Sequence, residues 1–319
     1  MGEHEILLEA RNLKKYFKST KGYVHAVDGI SFRLEAGKTL GVVGESGCGK
    51  TTLGRVLLHL YEATDGQILY RGRDITHYTP RQMKGIRREL QMIFQDPSAS
   101  LDPRKSVKDT IGEPLRIYKS CPNRDAYEKK VLEIMDMVGL ASRYATSFPH
   151  ELDGGRRQRI GIGRALATNP HFIVCDEPVS ALDVSVQAQV LNLLKELQIS
   201  QNLTYMFITH DLSVVKHISH DILVMYLGQC VEYTDRRELF KRPLHPYTVG
   251  LLDSVPIPSL TDKKLNAGHV MKGELTSPID PEPGCRFAAR CPYATAACKG
   301  QDIPLKEVEP GHFVACTQY

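Results

Sequence analysis

The eight residues Gly44-Glu45-Ser46-Gly47-Cys48-Gly49-Lys50-Thr51 constrain this chain more than any other stretch. They fit the phosphate-binding pattern G-x-x-x-x-G-K-[ST], and the apolar run Leu40 to Val43 before them predicts the end of a buried strand. A helix is expected to begin near Gly49. Three glycines let the backbone curl until successive N–H groups point inward at phosphate oxygens, where a Cβ would obstruct the approach. The helix N-terminus adds partial positive charge. Lys50 is then placed to neutralise β- and γ-phosphates, and Thr51, followed by Thr52, offers a hydroxyl to Mg²⁺. A lone match of this kind could still be a glycine-rich turn, so the remainder of the chain must arbitrate.

With 319 residues there is chain enough for one large domain, or a domain with an appendage. The net charge of +4 is mild and gathers into no basic block, so charge does not point to DNA or RNA. Met1 to Ala10 is polar and acidic and predicts no secretion signal. No apolar run approaches the roughly 18 residues needed to span a bilayer, so a membrane role is expected to pass through a partner. Eight cysteines without such a signal suit a reducing compartment, where thiols stay free, metal-bound or buried.

The chain shows no internal repeat and a single phosphate loop. Leu7 to Leu13, Ile30 to Leu34, Phe172 to Cys175 and Tyr205 to Ile208 read as strands. Val107 to Leu140, Arg159 to Leu166 and the amphipathic Val186 to Leu197 read as helical. Alternation of this kind predicts an α/β fold with a mostly parallel, helix-covered sheet. After Tyr233 the composition changes: prolines accumulate between Pro243 and Pro310 together with four of the eight cysteines. The expected division is 1–235, with a helical subdomain at about 96–160, followed by a loop-rich extension over 236–319.

Phe172 to Cys175 runs into Asp176-Glu177. Ligands of α/β sheets lie beyond the carboxyl ends of the strands. Asp176 therefore suits a Mg²⁺ contact, and Glu177 can polarise an attacking water. The bland alternative is that Asp-Glu-Pro merely starts a helix.

Taken in order, the phosphate loop, Gln95 in Phe94-Gln95-Asp96-Pro97, Leu152-Asp153-Gly154-Gly155-Arg156, Asp176-Glu177, Ser180-Ala181-Leu182-Asp183 and His210 resemble an ATP-binding-cassette ATPase subunit over roughly Leu7 to Tyr233. The resemblance implies a P-loop NTPase core acting on ATP with Mg²⁺. It makes Gln95 the lever sensing Mg²⁺ and the γ-phosphate, His210 the switch histidine, and Asp183 part of a loop crossing a dimer interface. Taken singly, Gln95 could be an exposed turn residue and His210 a solvated strand end. The resemblance also places an aromatic against adenine, at Phe17 with Tyr16 as the alternative, although both could be core residues.

One departure stands out. The family signature reads Leu-Ser-Gly-Gly-Gln, whereas here Asp153 and Arg156 replace serine and glutamine. The signature faces ATP held by the partner subunit, and the serine donates to its γ-phosphate. An ionised Asp153 cannot donate, although Arg156 can offset its charge and Gly154 and Gly155 still permit close approach.

Arg242-Pro243-Leu244-His245-Pro246-Tyr247-Thr248 with Leu251-Leu252, and Ser100-Leu101-Asp102-Pro103-Arg104, resemble the dipeptide and oligopeptide importer branch. Importers of nickel and other small solutes share these strings. Cys285, Cys291, Cys298 and Cys316 follow a C-x5-C-x6-C-x17-C spacing without the C-x2-C knuckles of structural zinc. Four thiolates on Pro/Gly-rich loops suit a [4Fe–4S] cluster, as the resemblance implies; zinc and free thiols are the alternatives. Cys48, Cys121, Cys175 and Cys230 read as bystanders or core. The resemblance implies an ATPase at the cytoplasmic face of the membrane, paired with a second ATPase subunit as a heterodimer. Two integral permeases and an extracytoplasmic solute-binding protein complete the set, with no nucleic acid. The alternative of another class is a cassette protein of translation or DNA repair. Loss of a cysteine ligand is expected to leave MgATP binding at a distant phosphate loop intact.

Overall fold

The computed structural model describes residues 5–254 and 276–319. The chain divides into two compact units, one of residues 1–77 with 207–319 and the other of residues 78–206.

The first unit holds two sheets. Ile6–Ser19 and Gly22–Glu35 form a long antiparallel pair, and Asp65–Tyr70 then Arg73–Asp74 extend it on the Ile6–Ser19 side. Their alternating apolar residues, Leu8, Ala10, Leu13, Ile30, Phe32 and Leu34, are all buried, as expected of a sheet with one covered face. In the second sheet Thr39–Val43 lies parallel to Asp221–Tyr226, in the register Val43 to Val224. Both are buried along nearly their whole length, so they read as unbroken apolar runs instead of alternating ones. Gln229–Asp235 and the hairpin Lys306–Glu309/His312–Val314 continue this sheet antiparallel.

The extension is therefore no detached appendage. Its hairpin joins the same sheet as the strand that precedes the phosphate loop, and its Leu239, Tyr247 and Phe287 share one apolar core with Val43, Val224 and Tyr226. Short, proline-broken strands carry too little periodicity to reveal this from sequence.

In the second unit Leu90–Ile93 lies parallel to Phe172–Asp176, with Leu90 opposite Phe172 and Ile93 opposite Cys175. The helical stretch expected over 107–140 is two helices, Val107–Ile117 and Arg124–Met137, interrupted where Asn123 caps the second. Gly154–Leu166 and Val184–Gln201 complete the helices that matter for function. No helix of the described residues is long and apolar enough to cross a membrane.

Candidate functional site

Within the first unit the phosphate loop has the predicted form. Val43 ends its strand, Gly49 caps the following helix at φ +105°, and the helix runs Lys50–Leu57 with Thr51 and Thr52 in its first turn. Gly44 and Gly49 are required twice over. Both sit at positive φ, and a Cβ on Gly44 would strike the Met225 carbonyl while one on Gly49 would strike that of Ala26. Gly47, also at positive φ, meets nothing nearby and is required for conformation alone. Ser46 and Gly47 are exposed at the tip.

The Lys50 ammonium is buried and donates to the carbonyls of Gly44 at 2.7 Å and Glu45 at 2.9 Å, with the Cys48 sulfur 3.8 Å away. Burial pushes the Cys48 thiol above its ordinary pKa, so it packs as a small apolar group. The Cys48 carbonyl accepts from Gly228 N–H at 2.8 Å, which ties the far limb of the loop to the turn after Asp221–Tyr226.

The near limb is tied by the extension. Glu45 N–H donates to the Tyr247 hydroxyl at 2.9 Å, and the Glu45 carboxylate receives both terminal nitrogens of Arg290 at 2.9 and 3.1 Å. Tyr247 belongs to the His-Pro-Tyr string, and Arg290 directly precedes Cys291. The phosphate loop is thus not distant from the cysteine segment, contrary to the sequence expectation. A second tie is Arg286, which donates to the Leu227 carbonyl and to Asp28. Asp28 in turn accepts from Tyr16 at 2.5 Å and pairs with His25 at 3.1 Å.

The two candidate adenine aromatics differ in setting. Tyr16 stacks on His25, ring centroids 3.9 Å apart, and burial with the Asp28 bond raises its phenol pKa. Phe17 meets the edge of Tyr61 and lies under the Lys15 ammonium at 5.0 Å. His210 is exposed one residue beyond Thr209, whose N–H donates to the Val42 carbonyl. That bond places the His210 turn beside the end of the loop's own strand.

The second unit assembles the carboxylates. The parallel register of Leu90–Ile93 with Phe172–Asp176 brings Gln95 and Glu177, each two residues past a paired position, to the same end of the strands. Gln95 Nε2 donates to Glu177 Oε2 at 3.0 Å. Glu177 adopts φ +44°, an unusual conformation for a residue with a side chain. The Glu177 carbonyl accepts from the Ser180 hydroxyl at 3.1 Å. Asp176 is buried at the strand end.

The signature and the Asp183 loop prove to be paired helix starts. Asp153 caps Gly154–Leu166 by accepting from Arg156 N–H at 2.8 Å, and its carboxylate also pairs with the Arg156 guanidinium. The two departures from the family signature therefore compensate each other locally. Asp183 caps Val184–Gln201 by accepting from Val186 N–H at 3.0 Å. A hydrogen bond from Ser185 lowers its pKa. Gly155 faces Val186, and a Cβ there would press on its Cγ1, so the two helix starts pack closely because Gly155 lacks a side chain.

The four extension cysteines, Cys285, Cys291, Cys298 and Cys316, line one small cavity with Phe287, Pro246 and Tyr293. Burial, then the neighbouring Cys298, Cys291 and Cys316, pushes the Cys285 thiol up to about 11. Cys298 is lowered instead, because the N–H of Thr295 and the hydroxyl of Thr317, 3.3 Å from its sulfur, favour the thiolate. Among the described residues no three His, Cys, Asp or Glu side chains are arranged to hold one metal ion. Tetrahedral zinc at a Zn–S distance of about 2.3 Å needs sulfurs roughly 3.8 Å apart.

Sequence reading missed Glu232, Arg286 and Arg290. Glu232 is fully buried beneath the extension, accepting from Leu244 N–H at 2.8 Å and His245 N–H at 2.9 Å and pairing with His312 at 2.7 Å. The available signal was the pair of arginines beside Cys285 and Cys291, charged residues in a tract otherwise read only for its cysteines.

The sequence matches the family described as ABC transporter over residues 27–180, and the oligopeptide/dipeptide transporter C-terminal region over 231–298. It is 51% identical to the oligopeptide transport ATP-binding protein AppF of Bacillus subtilis, covering 99% of this chain and 98% of that protein. It is 46% identical to OppF of Escherichia coli, over 98% and 96%. A dimeric ATP-binding cassette solved in a post-hydrolysis state with ADP and Pi superposes with a TM-score of 0.67 at 27% identity, covering 72% of this chain and 99% of that one. The chain belongs to the ATP-binding-cassette transporter ATPases, in the oligopeptide/dipeptide branch.

Proposed function

We propose that this chain is the ATP-hydrolysing subunit of an importer of dipeptides or oligopeptides. The observation carrying this is the full-length relation to peptide-transport ATP-binding proteins, which spans both the phosphate loop and the extension. Gly44 to Thr52 binds the ATP phosphates. Lys50 exchanges its two loop carbonyls for phosphate oxygens, a transfer between acceptors within its existing reach. Thr51, Gln95 and Asp176 hold Mg²⁺, which supplies charge neutralisation of the phosphates. Glu177, oriented by Gln95, takes the proton of the attacking water, and His210 contacts the γ-phosphate. Phe17, or Tyr16, stacks on adenine. Residues 1–235 form the cassette with its helical part at about 96–160, and 236–319 the extension.

The four extension cysteines hold a [4Fe–4S] cluster in this reading, with zinc as the alternative; that all four line one cavity supports it. The cluster would supply four iron–thiolate bonds, added to backbone hydrogen bonds such as that from Cys285 N–H to the Cys298 carbonyl at 2.9 Å. The chain works at the cytoplasmic face of the membrane with a second, different ATPase subunit, two permeases and a solute-binding protein. Asp153, Gly154, Gly155 and Asp183 face that second subunit. Purified with its permeases, the complex should hydrolyse ATP faster when peptide-loaded binding protein is added. Hydrolysis indifferent to every peptide tested, with uptake of another solute, would reject the peptide assignment.

A further inference from the structure

Glu45, the second residue of the phosphate loop, is gripped on both its side chain and its backbone by the extension. Arg290 reaches its carboxylate with two nitrogens and Tyr247 accepts from its N–H. The grip is well built. The Arg290 side chain is only 8% exposed and lies 5.9 Å from the centroids of both Tyr226 and Phe287. Tyr247 is wholly buried against the same two rings. A forked guanidinium–carboxylate pair is directional, and in so enclosed a position salt screens it little.

We propose that Arg290 and Tyr247 are positioning residues for the phosphate loop, making nucleotide affinity depend on an ordered cysteine segment. This rests on the reading that Gly44 to Thr51 holds the phosphates of MgATP. A loop with three glycines at positive φ has many conformations to lose on binding. Pinning Glu45 on two sides removes part of that cost beforehand. Arg290 is carried by a tight run of turns, its N–H donating to the Phe287 carbonyl at 2.9 Å and Cys291 N–H to that of Ala288 at 3.4 Å. Loosening residues 285–298 therefore frees the guanidinium. Linkage requires the reverse as well: bound nucleotide must stabilise the cysteine segment.

The test uses the full chain, a non-hydrolysable ATP analogue with Mg²⁺, and amide hydrogen exchange. Arg290→Gln and Tyr247→Phe should each weaken analogue binding, Arg290→Gln by about tenfold, within the usual span of coupling between sites. Combining Arg290→Gln with Glu45→Gln should cost no more than the worse single change, since both break one interaction. In the wild type the analogue should slow exchange at 285–298, and Arg290→Gln should abolish that slowing while leaving the fold intact. A folded Arg290→Gln with wild-type affinity would overturn the inference, as would exchange at 285–298 that ignores the analogue in the wild type. If Arg290→Gln does not fold, Tyr247→Phe and the wild-type exchange decide by the same criteria. A wild-type chain that fails to bind the analogue at all would instead reject the proposed function, and this inference with it.

Discussion

In the proposed mechanism Lys50 and Glu177 do different work, and their surroundings say how each should fail. The Lys50 ammonium sits among loop carbonyls within 2.9 Å, so Lys50→Ala removes the charge that meets phosphate and should weaken MgATP binding itself, measurable by titration. Glu177 accepts a hydrogen bond from Gln95 through one carboxylate oxygen. A glutamine amide can accept the same bond, so Glu177→Gln should keep its place and still bind MgATP. If Glu177 is the proposed base, single-turnover hydrolysis in the assembled transporter should fall about 10²–10⁴-fold. Near-normal turnover would remove Glu177 from that role. The phosphate loop was legible residue by residue, because its geometry follows from eight consecutive positions. The Arg290–Glu45 contact was not, since 245 positions separate the partners and nothing local encodes their meeting.

At the level of elements, helix starts carry much of the design. Asp153 caps Gly154–Leu166, so Asp153→Ala should cost about 1 kcal/mol of stability in denaturant unfolding, while Asp153→Ser, itself a good cap, should cost less. Equal losses would show that the cap is not what Asp153 contributes. His245 caps Pro246–Asp253 by accepting from Tyr247 N–H at 3.1 Å, and burial lowers its pKa to about 4. Its unfolded value near 6.5 lies above the folded one, so the unfolded chain takes up the proton first. The contribution is complete above about pH 6.5 and is lost as pH falls toward 4, by up to about 3 kcal/mol. His245→Asn keeps an acceptor at the cap but cannot titrate, and its stability should vary less between pH 7 and 5 than that of the wild type. Unchanged pH dependence would place the titration elsewhere. Strands at the level of type were readable from apolar runs, as with Phe172–Asp176. The register that brings Gln95 to Glu177 came only with the structure, because a short apolar run carries no mark of its partner or offset.

For the molecule as a whole, the extension was legible as a cysteine-bearing tail and not as part of the nucleotide unit, since the hairpin that joins it to the sheet is too short to leave a period. If its four thiols hold a cluster, anaerobically purified protein should be brown, with about four irons and four sulfides per chain. Cys291→Ser should lose the colour, and through Arg290 it should weaken nucleotide binding as well. Stoichiometric zinc without acid-labile sulfide would sink the cluster assignment. Asp153 and Arg156 motivate the proposal of an asymmetric pair: if the partner ATPase carries an ordinary signature that completes the site proposed for Lys50 and Glu177, that site should dominate turnover. Inactivating the partner's own catalytic carboxylate should therefore hurt less than Glu177→Gln, and equal losses would contradict the asymmetry. The most direct test of the central claim is peptide uptake into proteoliposomes containing the complete transporter, with ATP on the side of this subunit. Uptake should require ATP and collapse when Glu177→Gln replaces the wild-type chain; uptake that persists in the Glu177→Gln complex, or without ATP, would contradict it.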